Sequence, residues 1–313
     1  MKTNAADSWC YLTTIDDNYV PHLLAMLSSL ARVESKIPFL VAHVDMSEEN
    51  QRLITDHARS IDLPLTILHV TDIDLSVYQP CGNYPPVGWL KLHIDEFVPK
   101  QYDRILFIDP DTIVLKPLRP LFDIDMQGMP IAAAFDLQDQ NVKLKDGLGI
   151  APHDHYYNSG VILVDRAIFR EQKIGELSAT FAIENPDKIL FIDQCAFNAA
   201  CKGKMRELDA TWNLIIASVE RNPEETKVVH YAAMKPWVDA MTPGIELYAH
   251  FRNQTPLPFK RPPEPAMSVR IDEKLGLTQL YYLLLRKNKK YRREKSQRSN
   301  RRDFAEYVKR SLA

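Results

Sequence analysis

The sequence predicts an α/β fold: a mostly parallel central sheet, followed by a helical, basic C-terminal appendage. Three observations predict it. Short apolar runs alternate with helix-period segments from residue 9 to residue 70. Polar side chains recur where the later apolar runs stop. Beyond residue 240 the composition changes, first to Pro-rich and then to strongly basic.

Trp9–Thr14 (WCYLTT) reads as a first strand, followed by a polar turn at Asp16-Asp17-Asn18. Leu23, Leu24, Leu27 and Leu30 repeat at helical spacing, so residues 20–32 form a helix. Phe39–Val44 is a short buried-type strand, and a helix capped at Ser47 follows. Leu65–Val70 is the third strand. Residues 72–88 carry three prolines and two glycines without any period, so they form a loop. Trp89–Phe97 predicts a short helix ended before Pro99. Arg104–Ile108 (RILFI) is an apolar strand stopping at Asp109-Pro110-Asp111, and Thr112–Leu115 stays extended. KPLRPLF is Pro-broken and reads as irregular. Ile131–Phe135 and Ser159–Val164 are further buried strands, with residues 139–157 a loop between them. Residues 166–185 are mainly helical, residues 193–200 form another helix, and Val228–Tyr231 is a last strand carrying His230. Residues 235–265 fray into prolines, and residues 271–286 return to a helical pattern. The expected division is a catalytic domain over 1–240 and a Pro-rich connection with a basic segment over 241–313.

The 313 residues carry 39 Lys+Arg against 41 Asp+Glu, and 45% are apolar. That balance excludes a disordered or collagenous chain. The net charge of −2 hides an asymmetry: residues 286–310 hold 12 basic and 3 acidic residues, leaving 27 basic against 38 acidic elsewhere. The four cysteines form no C-x-x-C pair, and the opening MKTNAADSWCYL has no apolar signal core. The expected setting is therefore the cytoplasm.

Asp109-Pro110-Asp111 is the sharpest motif. Two carboxylates two residues apart on an extended segment share a side, and they suit a hard divalent cation shared with substrate phosphates. A solvated acidic turn is the competing reading. Asp136 after IAAAF, Asn158-Ser159-Gly160 before VILV, and His230 after VV place further polar groups at strand ends, the pattern of a single cleft.

With these segments in order, the chain resembles glycosyltransferase family 8. The resemblance rests on TTIDDNY (13–19), RILFIDPDTIVLKPL (104–118), YYNSGVILV (156–164), IDQCAFN (192–198), TWN (211–213) and VVHYAAMKPW (228–237). It implies the GT-A fold and a retaining transfer of a hexose from a UDP-sugar, galactose favoured over glucose, to a glycan acceptor such as a lipopolysaccharide core. It also implies that Asp109, Asp111 and His230 hold Mn²⁺ or Mg²⁺, and that Lys235 contacts the diphosphate. Thr14, Asp16, Asn18, Lys91, Asp136 and Asn158 would meet the donor. Asp193 and Gln194 would sit at the reaction centre. Three positions depart from the family pattern. The His230–Lys235 spacing is one residue short and lacks its glycine, Cys195 replaces an acid, and Trp89 replaces an arginine. These departures motivate an alternative, a sugar-nucleotide-binding scaffold without turnover; a glycoprotein-modifying glucosyl- or galactosyltransferase is a second alternative.

The basic segment is interleaved with tyrosines and leucines, which suits an anionic membrane surface. The expectation is peripheral attachment at the cytoplasmic face of the inner membrane through residues 286–310. An acidic body without a recognition motif argues against nucleic acid.

Overall fold

The structure is a computed structural model that describes residues 8–34, 36–218, 223–263 and Tyr307. The expected helix over 271–286 and the basic run 286–310, apart from Tyr307, lie outside the described residues.

A seven-stranded sheet forms the centre, in the order β3-β2-β1-β4-β7-β6-β8. Its strands are β1 (Trp9–Thr14), β2 (Phe39–His43), β3 (Leu65–His69), β4 (Arg104–Ile108), β6 (Ile131–Phe135), β7 (Tyr157–Asp165) and β8 (Arg206–Glu207). β3, β2, β1 and β4 run parallel, β7 is antiparallel to both its neighbours, and β6 pairs parallel with β8. β5 (Thr112–Val114), β10 (Val228–His230) and β9 (Leu214–Ile215) make a second, three-stranded sheet.

Both faces of the main sheet are covered, so its central strands are apolar throughout rather than alternating. Leu12, Phe107 and Ile162 enter one core cluster, while Tyr11, Leu106 and Leu163 enter the cluster on the opposite face. The second core contains α1 (Val20–Val33) and Ile54 of α2 (Glu48–Ser60). Pro21 sits in the first turn of α1, where its missing N–H costs nothing. The Ser47 hydroxyl accepts from Asn50 N–H and caps α2 as expected.

Several local expectations are corrected. Residues 86–93 form a 3₁₀ stretch, and only α3 (Ile94–Phe97) is α-helical. KPLRPLF is not wholly irregular: α4 (Arg119–Phe122) tolerates Pro120 in its first turn. The loop over 139–157 contains α5 (Val142–Gly147), capped by the Asn141 side chain on Leu144 N–H. Residues 166–185 divide into α6 (Arg166–Glu171) and α7 (Ile174–Glu184), because Lys173 turns left-handed at φ 54°. α8 (Ile192–Cys201) matches expectation. Within the Pro-rich stretch lies α9 (Ile245–Arg252), whose Leu247, Tyr248 and Phe251 pack with Ala25 of α1 and Val229 of β10. Tyr307 packs on the same cluster, as do Trp237 and Phe259.

The site follows from this topology. The carboxyl ends of β1, β4 and β6 and the amino end of the antiparallel β7 share one edge, and β10 brings His230 to the same place.

Candidate active site

One cleft gathers Thr14, Asp16, Lys91, Asp109, Asp111, Asp136, Asn158, Asp193, Gln194, His230 and Lys235. Asn18 does not line it. It is exposed and donates to Asp16 Oδ2 at 3.1 Å, so it bears on the cleft through Asp16.

Asp109 follows β4, where its N–H bonds Gly160 O at 2.7 Å, and Asp111 precedes β5. β10 pairs with β5 across His230 and Thr112, which delivers the imidazole to both carboxylates. His230 Nε2 lies 3.3 Å from Asp111 Oδ1 and 3.6 Å from Asp109 Oδ2. One ligand atom from each of the three falls within 4.8 Å of the others. Two carboxylate oxygens and an imidazole nitrogen, converging at the end of a strand, fit a hard divalent cation. Gly160 makes room for them, since a Cβ there would lie 2.7 Å from His230 Nδ1 and 2.8 Å from Asp109 Oδ2.

Two ammonium groups face this cluster. Lys235 pairs with Asp111, and Lys91 Nζ lies 3.1 Å from Asp109 Oδ1 and 3.0 Å from Asp193 Oδ2. Burial alone would raise the Asp111 carboxyl, but Lys235 and His230 outweigh it and hold the group well below the usual carboxylate range. Burial likewise opposes charge on Lys91, and the Asp109 and Asp193 carboxylates outweigh it, raising the ammonium pKa. Lys91 also sits 4.0 Å above the Phe107 ring.

Beyond the carboxylates lies a buried amide network. Asn158 Nδ2 donates to Asp136 Oδ2 at 2.8 Å and to Gln194 Oε1 at 3.0 Å. Ser159 N–H also donates to Gln194 Oε1, and Gln194 Nε2 donates to Tyr156 Oη at 3.0 Å. Both ends of the Gln194 amide are therefore engaged. Tyr156 Oη lies 3.3 Å from Cys195 Sγ, which gives the departed acid position an internal role. Trp89 is 5% exposed and stacks on Tyr78 at 4.5 Å, so the aromatic ring fills the loop and does not line the cleft.

Sequence reasoning missed Tyr19, Tyr84, Leu137 and Phe191, which line the same cleft. Tyr19 belongs to the TTIDDNY segment and could have been included on that ground. Tyr84, Leu137 and Phe191 come from aperiodic loops and give no pattern to read.

A parallel sheet with an acidic, imidazole-bearing cleft at its carboxyl edge, backed by lysines and amides, defines a GT-A nucleotide-sugar transferase architecture. The chain belongs to glycosyl transferase family 8, whose sequence pattern matches residues 10–241. It is 24% identical over 266 residues to General stress protein A of Bacillus subtilis, covering 77% of this chain and 91% of that protein. It is 27% identical over 229 residues to Glycosyltransferase GlyA of Streptococcus pneumoniae, covering 71% of this chain and 31% of GlyA. Galactinol synthase 1 of Solanum lycopersicum is 26% identical, with 76% of each chain covered. Among solved structures, the fold is similar to the galactosyltransferase LgtC in complex with donor and acceptor sugar analogues. The TM-score is 0.70 at 22% identity, covering 79% of this chain and 96% of that one.

Proposed function

We propose that the protein is a metal-dependent, retaining transferase that moves a hexose, galactose in preference to glucose, from a UDP-sugar to a glycan acceptor. The observation that carries this reading is the single cleft in which Asp109, Asp111 and His230 face the Asp136–Asn158–Gln194 network. Asp109, Asp111 and His230 would hold Mn²⁺ or Mg²⁺, which would supply charge neutralisation for the diphosphate. Lys235 would add a cation for the departing UDP, and Thr14, Asp16 and Tyr19, which line the same cleft, would meet the nucleotide. Asn158, Asp136 and Asp193 orient sugar hydroxyls.

The Gln194 amide is a poor nucleophile, and its Oε1 already accepts two hydrogen bonds. Asp193 is ion-paired with Lys91. Both facts favour same-face attack by the acceptor hydroxyl over a covalent sugar–enzyme step. Trapping a sugar on Asp193 would overturn this part of the reading.

Mn²⁺-dependent hydrolysis of UDP-galactose and UDP-glucose, measured without acceptor, tests the whole proposal. Turnover should vanish in Asp109→Asn while the chain stays folded. No hydrolysis of either donor by the wild type, with tight UDP binding retained, would favour the non-catalytic scaffold.

The acceptor we favour is a lipid-anchored glycan such as a lipopolysaccharide core, with the chain held at an anionic cytoplasmic membrane face by residues 286–310. The charge of that segment supports this reading. No helix among the described residues is long and apolar enough to cross a membrane. Replacing the lysines and arginines of 286–302 by Gln, with Tyr307 retained, should abolish sedimentation with anionic vesicles and leave donor hydrolysis intact. Continued sedimentation would refute the attachment.

A further inference from the structure

Asn213 belongs to the TWN segment, for which the proposed transfer has no role. It caps the 3₁₀ turn Ala210–Trp212 and leads into β9, which runs parallel to β10. Its side chain is 2% exposed and reaches two residues of the site. Asn213 Nδ2 donates to Asn158 Oδ1 at 2.7 Å, and Asn213 Oδ1 lies 2.9 Å from His230 Nδ1.

The polarity of this link is forced by the groups around it. Gly160 N–H, a backbone donor, lies 2.9 Å from one side-chain atom of Asn158, so that atom is the carbonyl oxygen. The amide nitrogen of Asn158 then faces the Asp136 carboxylate and Gln194 Oε1, which itself accepts from Ser159 N–H. Asn158 Oδ1 can only accept, so Asn213 must turn its NH₂ toward it. The Asn213 oxygen is left facing His230, and the hydrogen of the imidazole must therefore sit on Nδ1. Nε2, the other ring nitrogen, is the atom turned to the carboxylates, 3.3 Å from Asp111 Oδ1.

We infer that Asn213 is a positioning residue that fixes the Nδ1–H tautomer of His230 and ties it to the sugar-facing Asn158. A chain of hydrogen bonds thus links the Gly160 N–H, Asn158 Oδ1, the Asn213 amide and His230 Nδ1, and it orients the ring whose Nε2 faces the cation site. Carbonyl partners of a histidine ligand orient the ring and set its tautomer in the same way at other metal sites. One of its two readouts rests on the proposed metal site; the other does not.

The test compares Asn213→Leu with Asn213→Asp in the full-length protein. Long-range ¹⁵N NMR of the metal-free chain, taken at a pH high enough to leave the ring neutral, reads the His230 tautomer, with the signal assigned by its loss in His230→Gln. Mn²⁺ titration followed by electron paramagnetic resonance reads the affinity. Leu removes both hydrogen bonds, so the Nδ1–H preference should disappear and Mn²⁺ affinity fall about 10–100-fold. Asp keeps an acceptor for His230 but sets an oxygen against Asn158 Oδ1. It should retain tautomer and Mn²⁺ affinity while raising the KM for UDP-sugar. A folded Asn213→Leu with an unchanged tautomer and unchanged Mn²⁺ affinity overturns the inference. So does an Asn213→Asp that loses the tautomer as fully as Leu, because a packing role alone predicts that equivalence. Should Leu fail to fold, Asn213→Ala carries the same comparison. If the wild type binds no Mn²⁺, the metal reading fails and the tautomer measurement still decides this one.

Discussion

Gly160 lies where the β4–β7 pairing, the carboxylate Asp109 and the imidazole His230 meet. Substituting Ala adds one methyl group, whose carbon would lie 2.7 Å from His230 Nδ1, 2.8 Å from Asp109 Oδ2 and closer still to His230 Cε1. Ordinary contact begins near 3.4 Å, so the ring must retreat by about 0.7 Å or more, or the strand must move. The ring cannot retreat freely. Asn213 holds its Nδ1 at 2.9 Å, and β10 is fixed by pairing to both β5 and β9. Overpacking of this kind costs about 1–3 kcal/mol. His230 is a ligand of the proposed cation site, so displacing it from its oriented position should weaken Mn²⁺ binding by about 10–100-fold. Gly160→Ala should therefore fold with a lowered Tm, read by thermal denaturation, and bind Mn²⁺ weakly, read by isothermal titration. An Ala variant with wild-type Tm and wild-type Mn²⁺ affinity would refute both the assigned cluster geometry and the reason given for glycine.

Three further outcomes follow from the same packing. Trp89→Phe should leave the KM for UDP-sugar unchanged, because the indole stacks on Tyr78 and does not line the cleft; a large rise in that KM would place the ring in donor binding. Lys91→Met removes the ammonium between Asp109 and Asp193 and should destabilise the fold by about 3–5 kcal/mol, measured by urea unfolding; unchanged stability would show the two carboxylates need no cation. His22, stacked on Trp237 at 3.5 Å, has its pKa pushed by burial from 6.5 down to about 3. Its contribution to stability is complete above pH 6.5 and is lost as pH falls toward 3, up to about 4 kcal/mol. Acid unfolding should flatten over that window in His22→Gln, and an unaltered pH profile would exclude His22 as its source.

Periodicity made most of the sheet legible, because β1, β2, β4, β6 and β7 are buried apolar runs whose ends are marked by polar residues. The two-residue strands β8 and β9 are too short to show any period, and their pairing depends wholly on partners distant in sequence. α9 was hidden among prolines, and its place on α1 is a tertiary fact without a local signature. The site divides in the same way. Asp109, Asp111, Asp136, Asn158 and His230 could be read because each ends or opens an apolar strand. Lys91 was linked to the site only by resemblance, since its place between two carboxylates depends on the 3₁₀ geometry of residues 86–93. Asn213 carried no chemical signal of its own; only the hydrogen bonds reveal what it connects.

The departures from the family pattern at Trp89 and Cys195 bear on whether the site has decayed. A position released from selection for turnover should leave buried polar groups without partners nearby, since each lost partner costs the desolvation of the other. Around these two positions the partners are present. Cys195 Sγ lies within reach of Tyr156 Oη, which in turn accepts from Gln194, and it also accepts from Phe191 N–H at 3.3 Å. Burial raises the Cys195 thiol pKa, so the group is neutral there, whereas an acid at the same place would bring a charge into the apolar cluster of Tyr156, Phe197 and Ala196. Trp89 is packed in that same cluster, and Lys91, two residues on, provides a cation at Asp109 and Asp193. These two departures are matched by their surroundings. That matching is what the proposed transfer requires at these two positions, and there it removes the ground that Trp89 and Cys195 gave for the scaffold reading.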